Sequence, residues 1–385
     1  MIYLDNAATS FPKPPEVSQA MAGTLEKLGV NPGRGGHKLA LCAGNLVQRC
    51  REELADFLGA DDPSRIIFTA SCTEALNLAI AGTLHDGDEV IVSHAEHNAV
   101  MRVLEKYVRI GHLTVKVLQP DKEGILSPDA LRLAFSKRTT LVIISHASNV
   151  TGVIQPVAAL GEVCEAHHIP LLVDAAQTAG TEEVRLDTLH ASMIALPGHK
   201  GLLGPQGIGV LALSQWADPE PLVLGGTGST SESYRQPLML PDRYESGTLN
   251  LPGIAGLLAS TRFVKMHRKE IASYEKALAT RLREQLSSCP GIRFHGSSEV
   301  PHTGIVSFTV PGLDCGMIAD ELNEYSIAVR SGLHCAPSIH SWLGTLGSGT
   351  VRMSVGIYNT EQDIDDVADV MEHILKRKSR FSASD

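Results

Sequence analysis

Short apolar runs alternate with helical stretches over residues 65–213, and this alternation constrains the fold more than any other feature of the sequence. The apolar runs include IIFTA, DEVIVS, TLVIIS, PLLVD and SMIAL, and helical stretches such as TEALNLAIAGTL stand between them. Strands that alternate with helices form βαβ units, which build a mostly parallel sheet covered by helices on both faces. Because ligands bind such sheets at the carboxyl ends of the strands, we expect the reactive side chains directly after each strand.

The sequence after this region follows a different pattern. A stretch rich in Gly, Ser and Pro covers residues 224–250, and a long helical segment follows it. The rest carries three strand candidates, GIVSFTV, SIAVR and VRMSV, together with two helices, which is an α+β pattern. We therefore predict an α/β fold with a large domain over residues 15–255 and a small α+β domain formed by residues 1–14 and 256–385.

Charge and composition exclude several classes of protein. The 43 acidic and 33 basic side chains give a net charge of −10 that is spread along the chain, which argues against a nucleic-acid or anionic-membrane surface. No run of about eighteen apolar residues and no signal-peptide pattern is present, so we expect a cytoplasmic protein. The seven cysteines form no CxxC pair and indicate neither a disulfide framework nor a zinc site.

Two strands in the βαβ region lead into polar residues that suit a pyridine aldehyde cofactor. LLVDAAQ ends its strand on Asp174, and SMIALPGHKG leads to His199 and Lys200. A lysine amine forms a Schiff base with an aldehyde, and a carboxylate stabilises a protonated ring nitrogen. Asp174 alone is typical of a helix cap and Lys200 alone of a surface lysine, but the two segments together favour a cofactor site.

Two further segments place anion-binding and aromatic groups at the same edge. FTASCTEALNLAI leads from a strand into a helix that opens at Cys72 and Thr73, where free N–H groups favour an anion, although such residues also begin helices as plain caps. HAEHNAV places His97 just after a strand, where its ring could stack on a flat cofactor. A metal pair of His97 with His94 is disfavoured because no further ligand has a recognisable spacing, so we predict no metal.

The ordered set of motifs resembles one known family. RGGHKLA, SCTEALN, EHNAV, HASNVTG, VDAAQ, GHK, YESGTLN, RSGLHCA and VRMSVGIYN follow one another between YLDNAAT and the C-terminal region. This set is similar to the cysteine desulfurases and selenocysteine lyases of the class V aminotransferase fold, the type that serves iron–sulfur cluster assembly. The resemblance implies a fold type I transferase that binds pyridoxal 5′-phosphate (PLP), acts as a homodimer and carries its cysteine on a short loop of the small domain.

The resemblance also assigns roles to residues of this sequence. Lys200 would bind PLP covalently and take the substrate α-proton, His97 would stack on the ring, and Cys335 would be the sulfur nucleophile. The remaining cofactor contacts would come from Cys72, Thr73, Asn149, Asp174, Gln177, His199 and, from the other subunit, Thr248. The substrate carboxylate would be bound by Arg352 with help from Asn149, and the neighbours of that site would be His37 and Arg330.

The implied reaction converts L-cysteine to L-alanine, with the sulfur taken up by Cys335 as a persulfide and passed to an acceptor protein or a small reductant. The alternatives are a selenocysteine lyase, another C–S lyase, a class V aminotransferase for a different amino acid and, more remotely, a non-catalytic sulfur-transfer scaffold. His334 and Arg330 are expected to favour the Cys335 thiolate. One departure from the family is Pro197, which offers the phosphate neither a hydroxyl nor an N–H where relatives carry Ser or Thr.

Overall fold

A computed structural model describes residues 1–32 and 35–382 of the chain, so that Arg34, the first residue of the RGGHKLA motif, lies outside the described residues. The helices are α1 Pro15–Leu28, α2 Lys38–Leu58, α3 Cys72–Thr83, α4 Asn98–Arg109, α5 Pro128–Ala134, α6 Val157–Ala166, α7 Leu251–Ser287, α8 Cys315–Glu324, α9 Pro337–Leu343 and α10 Glu361–Ser382. The strands are β1 Ile2–Tyr3, β2 Ile66–Thr69, β3 Glu89–Ser93, β4 Thr114–Leu118, β5 Thr139–Ser145, β6 Leu171–Asp174, β7 Met193–Pro197, β8 Gly209–Leu213, β9 Arg293–His295, β10 Ile305–Thr309, β11 Ile327–Ala328, β12 Arg330–Gly332 and β13 Thr350–Ser354.

Seven strands form the large sheet, in the order β2-β8-β7-β6-β5-β3-β4. All neighbours are parallel except β8, which runs antiparallel to both β2 and β7. Strands β3, β6 and β7 are buried along their whole length because helices cover both faces, which explains their continuous apolar sequences. The predicted α/β fold with a mostly parallel central sheet is confirmed.

A second, antiparallel sheet in the order β12-β13-β10-β9 packs with α8 and α10 around the fully buried Phe308. The predicted strand SIAVR is split, because β11 pairs with β1 near the N-terminus whereas β12 pairs with β13. This pairing brings Leu4 into the same hydrophobic cluster as the C-terminal elements.

The 37-residue helix α7 contributes residues to the hydrophobic cluster of the large sheet and to that of the second sheet. Ile254 and Leu257 near its start pack with the large sheet, and Leu278 and Leu282 near its end pack with the second sheet. The domain boundary at residue 255 stays a prediction. Of the helices within the described ranges, none is both long and apolar enough to span a membrane.

Candidate active site

The carboxyl edge of the large sheet brings Asp174 and Lys200 together. Asp174 ends β6 with only 4% of its surface exposed, and β7 runs beside it in parallel and ends at Pro197. The chain then turns through Lys200 to Gly201, where a Cβ would lie 2.3 Å from the carbonyl oxygen of Ala179. Only glycine fits this close backbone approach, so the residue after the lysine is dictated by packing.

The surroundings of Lys200 favour its neutral amine. Burial lowers the pKa of Lys200, the nearby Asp174 carboxylate opposes this effect, and the guanidinium of Arg352 adds to it. A larger neutral fraction makes the amine a better nucleophile toward an aldehyde and a better proton acceptor.

The turn into α3 lies at the same edge of the sheet. The Ser71 hydroxyl caps the helix by accepting a hydrogen bond from the Glu74 amide at 3.2 Å, and Cys72 is buried with its Sγ 3.8 Å from Asp174 Oδ1. Burial raises the pKa of Cys72, so this thiol stays protonated. Thr73 is exposed and lines a cavity together with His97. The predicted helix opening is therefore in place beside the aspartate.

His97 caps α4 and keeps a defined tautomer. Its Nδ1 accepts a hydrogen bond from the Ala99 amide at 3.0 Å, so the proton of the neutral ring lies on Nε2. Burial lowers the pKa of His97, and the positive charges of Arg102 and Arg330 lower it further, whereas Asp174 raises it. The ring is therefore neutral near pH 7 and keeps one N–H donor.

His199 and Gln177 are two further residues predicted to contact the cofactor. Burial, followed by the charges of Lys200 and Lys13, lowers the pKa of His199 to about 4, and its buried Nδ1 has no hydrogen-bond partner among the described residues. Gln177 Nε2 donates to the Ala7 carbonyl at 3.1 Å. A buried carboxylate, a lysine with a lowered pKa and an unpaired buried imidazole nitrogen form a donor set that fits PLP.

The predicted substrate anchor is held at two points. Arg352 on β13 is 2% exposed, and its Nη1 donates to the Asn149 carbonyl at 2.9 Å while its Nη2 donates to Asp5 Oδ1 at 2.8 Å. The buried Nε has no partner within residues 1–32 and 35–382, which leaves a donor for a substrate carboxylate. The sequence did not single out Asp5, and its only signal was its position inside YLDNAAT.

Cys335 lies in a tight turn between β12 and α9. Its φ is 58° and that of His334 is 48°, so two consecutive residues other than glycine adopt left-handed backbone, which is strained. Both carbonyls are held: Asn149 Nδ2 donates to His334 O at 2.6 Å, and the Asn98 amide donates to Cys335 O at 2.7 Å. The cysteine itself is exposed and lines the same cavity as His97.

The expectation that a charged His334 favours the Cys335 thiolate is wrong. His334 is 5% exposed, and burial followed by the charge of Arg352 lowers its pKa to about 3. The ring is therefore neutral, and its Nε2 lies 3.0 Å from Thr350 Oγ1. His334 anchors the turn instead of supplying charge. Arg330, whose backbone is in register with Arg352, is exposed.

Two predicted site residues lie apart from this group in the single chain. His37 is exposed and caps α2, with its Nδ1 accepting from the Ala40 amide at 3.2 Å. Thr248 is exposed in the coil before α7. In the part of the chain that the structure describes, no hydrogen bond or ion pair joins either residue to Lys200, and their roles stay predictions.

Glu96 is a buried residue beneath the site that the sequence did not single out. Its Oε1 accepts from Ser93 Oγ at 2.5 Å and from the Ser145 amide at 2.7 Å, so it joins the ends of β3 and β5. Burial, together with the Asp174 charge, raises the pKa of Glu96 to about 8. The side chain is a neutral carboxylic acid near pH 7. Nothing in HAEHNAV distinguishes this glutamate from an exposed one.

Comparison with known proteins agrees with this geometry. The model of the aminotransferase class-V family matches residues 2–367. A probable cysteine desulfurase of Methanothermobacter thermautotrophicus is 35% identical, with 97% of this chain and 94% of the relative covered. The apo structure of the cysteine desulfurase from Thermococcus onnurineus superposes with a TM-score of 0.91 at 34% identity, covering 97% of this chain and 94% of that one. The cysteine desulfurase CsdA from Escherichia coli gives a TM-score of 0.86 at 28% identity, with the same two coverages.

The parallel sheet with a lysine and an aspartate at its carboxyl edge defines the fold type I class of PLP enzymes. The chain belongs to the cysteine desulfurase family of the class V aminotransferases.

Proposed function

We propose that this protein is a PLP-dependent cysteine desulfurase that converts L-cysteine to L-alanine and takes the sulfur onto Cys335. One observation carries the proposal: the exposed Cys335 lines the same cavity, of about 360 Å³, as His97 and Thr73. A thiol with no role in packing is thereby held beside the predicted cofactor site. The names of the relatives support the same reaction.

We assign each part of PLP to residues at the carboxyl edge of the large sheet. Lys200 would bind the aldehyde carbon, Asp174 the ring nitrogen, and His97 the face of the ring. The other contacts come from Cys72 and Thr73 at the start of α3, and from Asn149, Gln177 and His199. Bound PLP supplies an electron sink that weakens the bonds at the substrate α-carbon.

Side chains of the protein would bind the substrate and transfer its protons. Arg352 would hold the substrate carboxylate with its unpaired Nε, oriented by Asp5 and by the Asn149 carbonyl. Lys200 would accept the substrate α-proton, because burial lowers the pKa of its amine. His97 keeps an Nε2 proton that it can donate.

Cys335 then carries out the sulfur transfer. Its thiolate attacks the substrate sulfur, so an S–S bond forms and the C–S bond of the substrate breaks. The electron pair of that bond stays with the carbon, which takes up a proton and becomes the methyl group of alanine. The outer sulfur remains on Cys335 as a persulfide.

The acceptor must reach the persulfide where it forms. Only residues 333–336 separate β12 from α9, and the carbonyls of His334 and Cys335 are both held by hydrogen bonds. A turn of this length cannot carry sulfur far. We therefore expect slow turnover without an acceptor protein or a small reductant. Fast steady-state alanine formation in the absence of both would contradict this expectation.

We also propose that the protein is a homodimer. Several large apolar side chains in the coil before α7 are exposed, namely Val223, Leu224, Leu238 and Met239. A second copy of the chain would cover this surface and bring Thr248 to the cofactor phosphate of its partner. Light scattering should give twice the mass of the chain, and Thr248→Ala should weaken PLP binding. A monomer that retains PLP fully would exclude the arrangement.

The central experiment compares two exposed cysteines. Cys335→Ala should bind PLP but form no alanine or sulfide from cysteine, whereas Cys42→Ala, which removes the exposed thiol on α2, should behave like the parent. Alanine, sulfide and the visible absorbance of the lysine-bound cofactor are followed together. Equal turnover by the parent and by Cys335→Ala would refute the proposal and would favour a lyase or an aminotransferase.

A further inference from the structure

The cavity outside Cys335 has a positively charged wall. Its described lining consists of Thr73, Asn77, Ala81, His97, Asn98, Ala99, Arg102, Val103, Lys106, Tyr107, Leu222 and Cys335. Arg102 and Lys106 lie one turn apart on α4, both are exposed, and the described lining contains no acidic residue. Within residues 1–32 and 35–382 neither cation has a carboxylate partner, although Lys106 lies 5.4 Å from the Tyr107 ring centre.

This charge distribution is unusual for the chain that carries it. The whole protein has a net charge of −10, so a cavity wall with two cations and no acidic residue is opposite in sign to the protein as a whole. Like charges one helical turn apart also repel each other and slightly weaken a helix. Arg102 acts on the site itself, since its charge lowers the pKa of His97. A bound anion would offset the repulsion and would lie within reach of Cys335.

The residues assigned to the cofactor phosphate do not include these cations. The phosphate is assigned to Thr73 at the start of α3 and to His199, and Asn77 and Ala81 line the cavity further along α3 than Thr73. Lys106 lies two turns into α4, and both its neighbours in the cavity wall, Val103 and Tyr107, belong to the same helix. Arg102 and Lys106 therefore line the cavity further along α4 than His97, the cap of that helix and the assigned cofactor contact.

We propose that this wall is a binding site for an anionic small-molecule thiol, one that carries a carboxylate or sulfonate, and that this thiol accepts the sulfur from Cys335. The inference rests on the proposed function. Arg102 and Lys106 bind the anionic group, which brings the thiolate of the acceptor to the persulfide.

The transfer step is balanced without a further oxidant. The acceptor thiolate attacks the outer sulfur of the Cys335 persulfide, and a new S–S bond forms on the acceptor. The S–S bond to Cys335 breaks, and its electron pair leaves Cys335 as a thiolate. The acceptor departs as a persulfide, and the enzyme is ready for another cysteine.

The test measures discharge of the persulfide in the PLP-loaded enzyme after a single turnover with cysteine. The acceptors are mercaptoethanesulfonate, which is anionic, 2-mercaptoethanol, which is neutral, and cysteamine, which is cationic, all compared at equal thiolate concentration. We expect the anionic thiol to react roughly tenfold faster than the cationic one at low salt, and the difference to shrink as salt is added. The double variant Arg102→Gln, Lys106→Gln should lose this preference.

A matched control is Arg109→Gln, which removes an exposed cation of the same helix that does not line the cavity. It should keep the preference. Equal rates for the three thiols in the parent, or a preference that survives in the double variant, would overturn the inference. Release of PLP from the double variant would also overturn it, because the cations would then serve the cofactor. The alanine formed in the single turnover, before any acceptor thiol is added, tests the proposed function separately. If the parent enzyme formed no alanine at this stage, the proposed function itself would be refuted.

Discussion

The site has a cofactor half around Lys200 and a nucleophile half around Cys335, and the two halves are held in different ways. Around Lys200, Asp174 and the turn to the lysine follow neighbouring parallel strands of one sheet, and His97 is fixed by a helix cap two residues away. Around Cys335, the contacts join distant parts of the chain: Asn149 and His334 are 185 residues apart, and Arg352 and Asp5 are 347 apart. The cofactor half therefore follows from strand topology, whereas the nucleophile half depends on side-chain contacts between separate layers. Damage to the second half should impair sulfur transfer without loss of the cofactor.

Lys200→Arg should have the largest effect. A guanidinium cannot form the Schiff base with the cofactor aldehyde, so alanine formation should fall by at least about a thousandfold. Mass spectrometry after borohydride reduction should show PLP attached to the parent and not to the variant. A variant with a tenth of the parent activity would show that the cofactor half is assigned wrongly.

Asn149→Ala should impair the nucleophile half. It removes the 2.6 Å hydrogen bond to the His334 carbonyl, and the loss of such a bond costs roughly 1–3 kcal/mol, which corresponds to about 5- to 150-fold slower persulfide formation. Asn149→Asp, which keeps the size but lacks the N–H donor, should be slowed as well. Asn149 is also an assigned cofactor contact, so PLP content is measured alongside. If both variants lost PLP while the alkylation rate of Cys335 stayed unchanged, Asn149 would act on the cofactor half alone.

Asp5→Ala should act mainly on substrate binding. Without the 2.8 Å contact the Arg352 guanidinium loses one of its two anchors, so KM for cysteine should rise about tenfold with a smaller change in kcat. Asp5→Asn keeps an oxygen acceptor for Nη2 and should recover most of the loss. An equal fall in kcat and unchanged KM in the alanine variant would remove Arg352 from substrate binding.

Glu96→Gln should change stability and not the reaction chemistry. Burial raises the pKa of Glu96 to about 8, so above pH 4.5 the unfolded chain loses a proton that the folded chain retains. The parent should therefore lose stability as pH rises from 4.5 to 8, by up to about 1.4 kcal/mol per pH unit from this group. Gln keeps the acceptor for Ser93 and Ser145 and does not titrate. Denaturant unfolding at several pH values should show that the difference in free energy of unfolding between the two proteins grows with pH. A difference that stays constant would contradict the assignment of Glu96 as a neutral acid.

Local sequence determined the parts that local forces control. The alternation of apolar runs with helices specified the parallel sheet, and the residues after its strands, Asp174 and Lys200, lie together at its carboxyl edge. Ser71 and His97 cap helices through bonds to amides only two or three residues away, which a short motif encodes by itself.

Only the tertiary structure decided the rest. The division of SIAVR between two sheets, the pairing of Asp5 with Arg352, and the burial that keeps His334 and Glu96 neutral are absent from any local pattern. The physical reason is that a pKa or an ion pair depends on which distant groups exclude water around a side chain, and that exclusion exists only after the layers have packed.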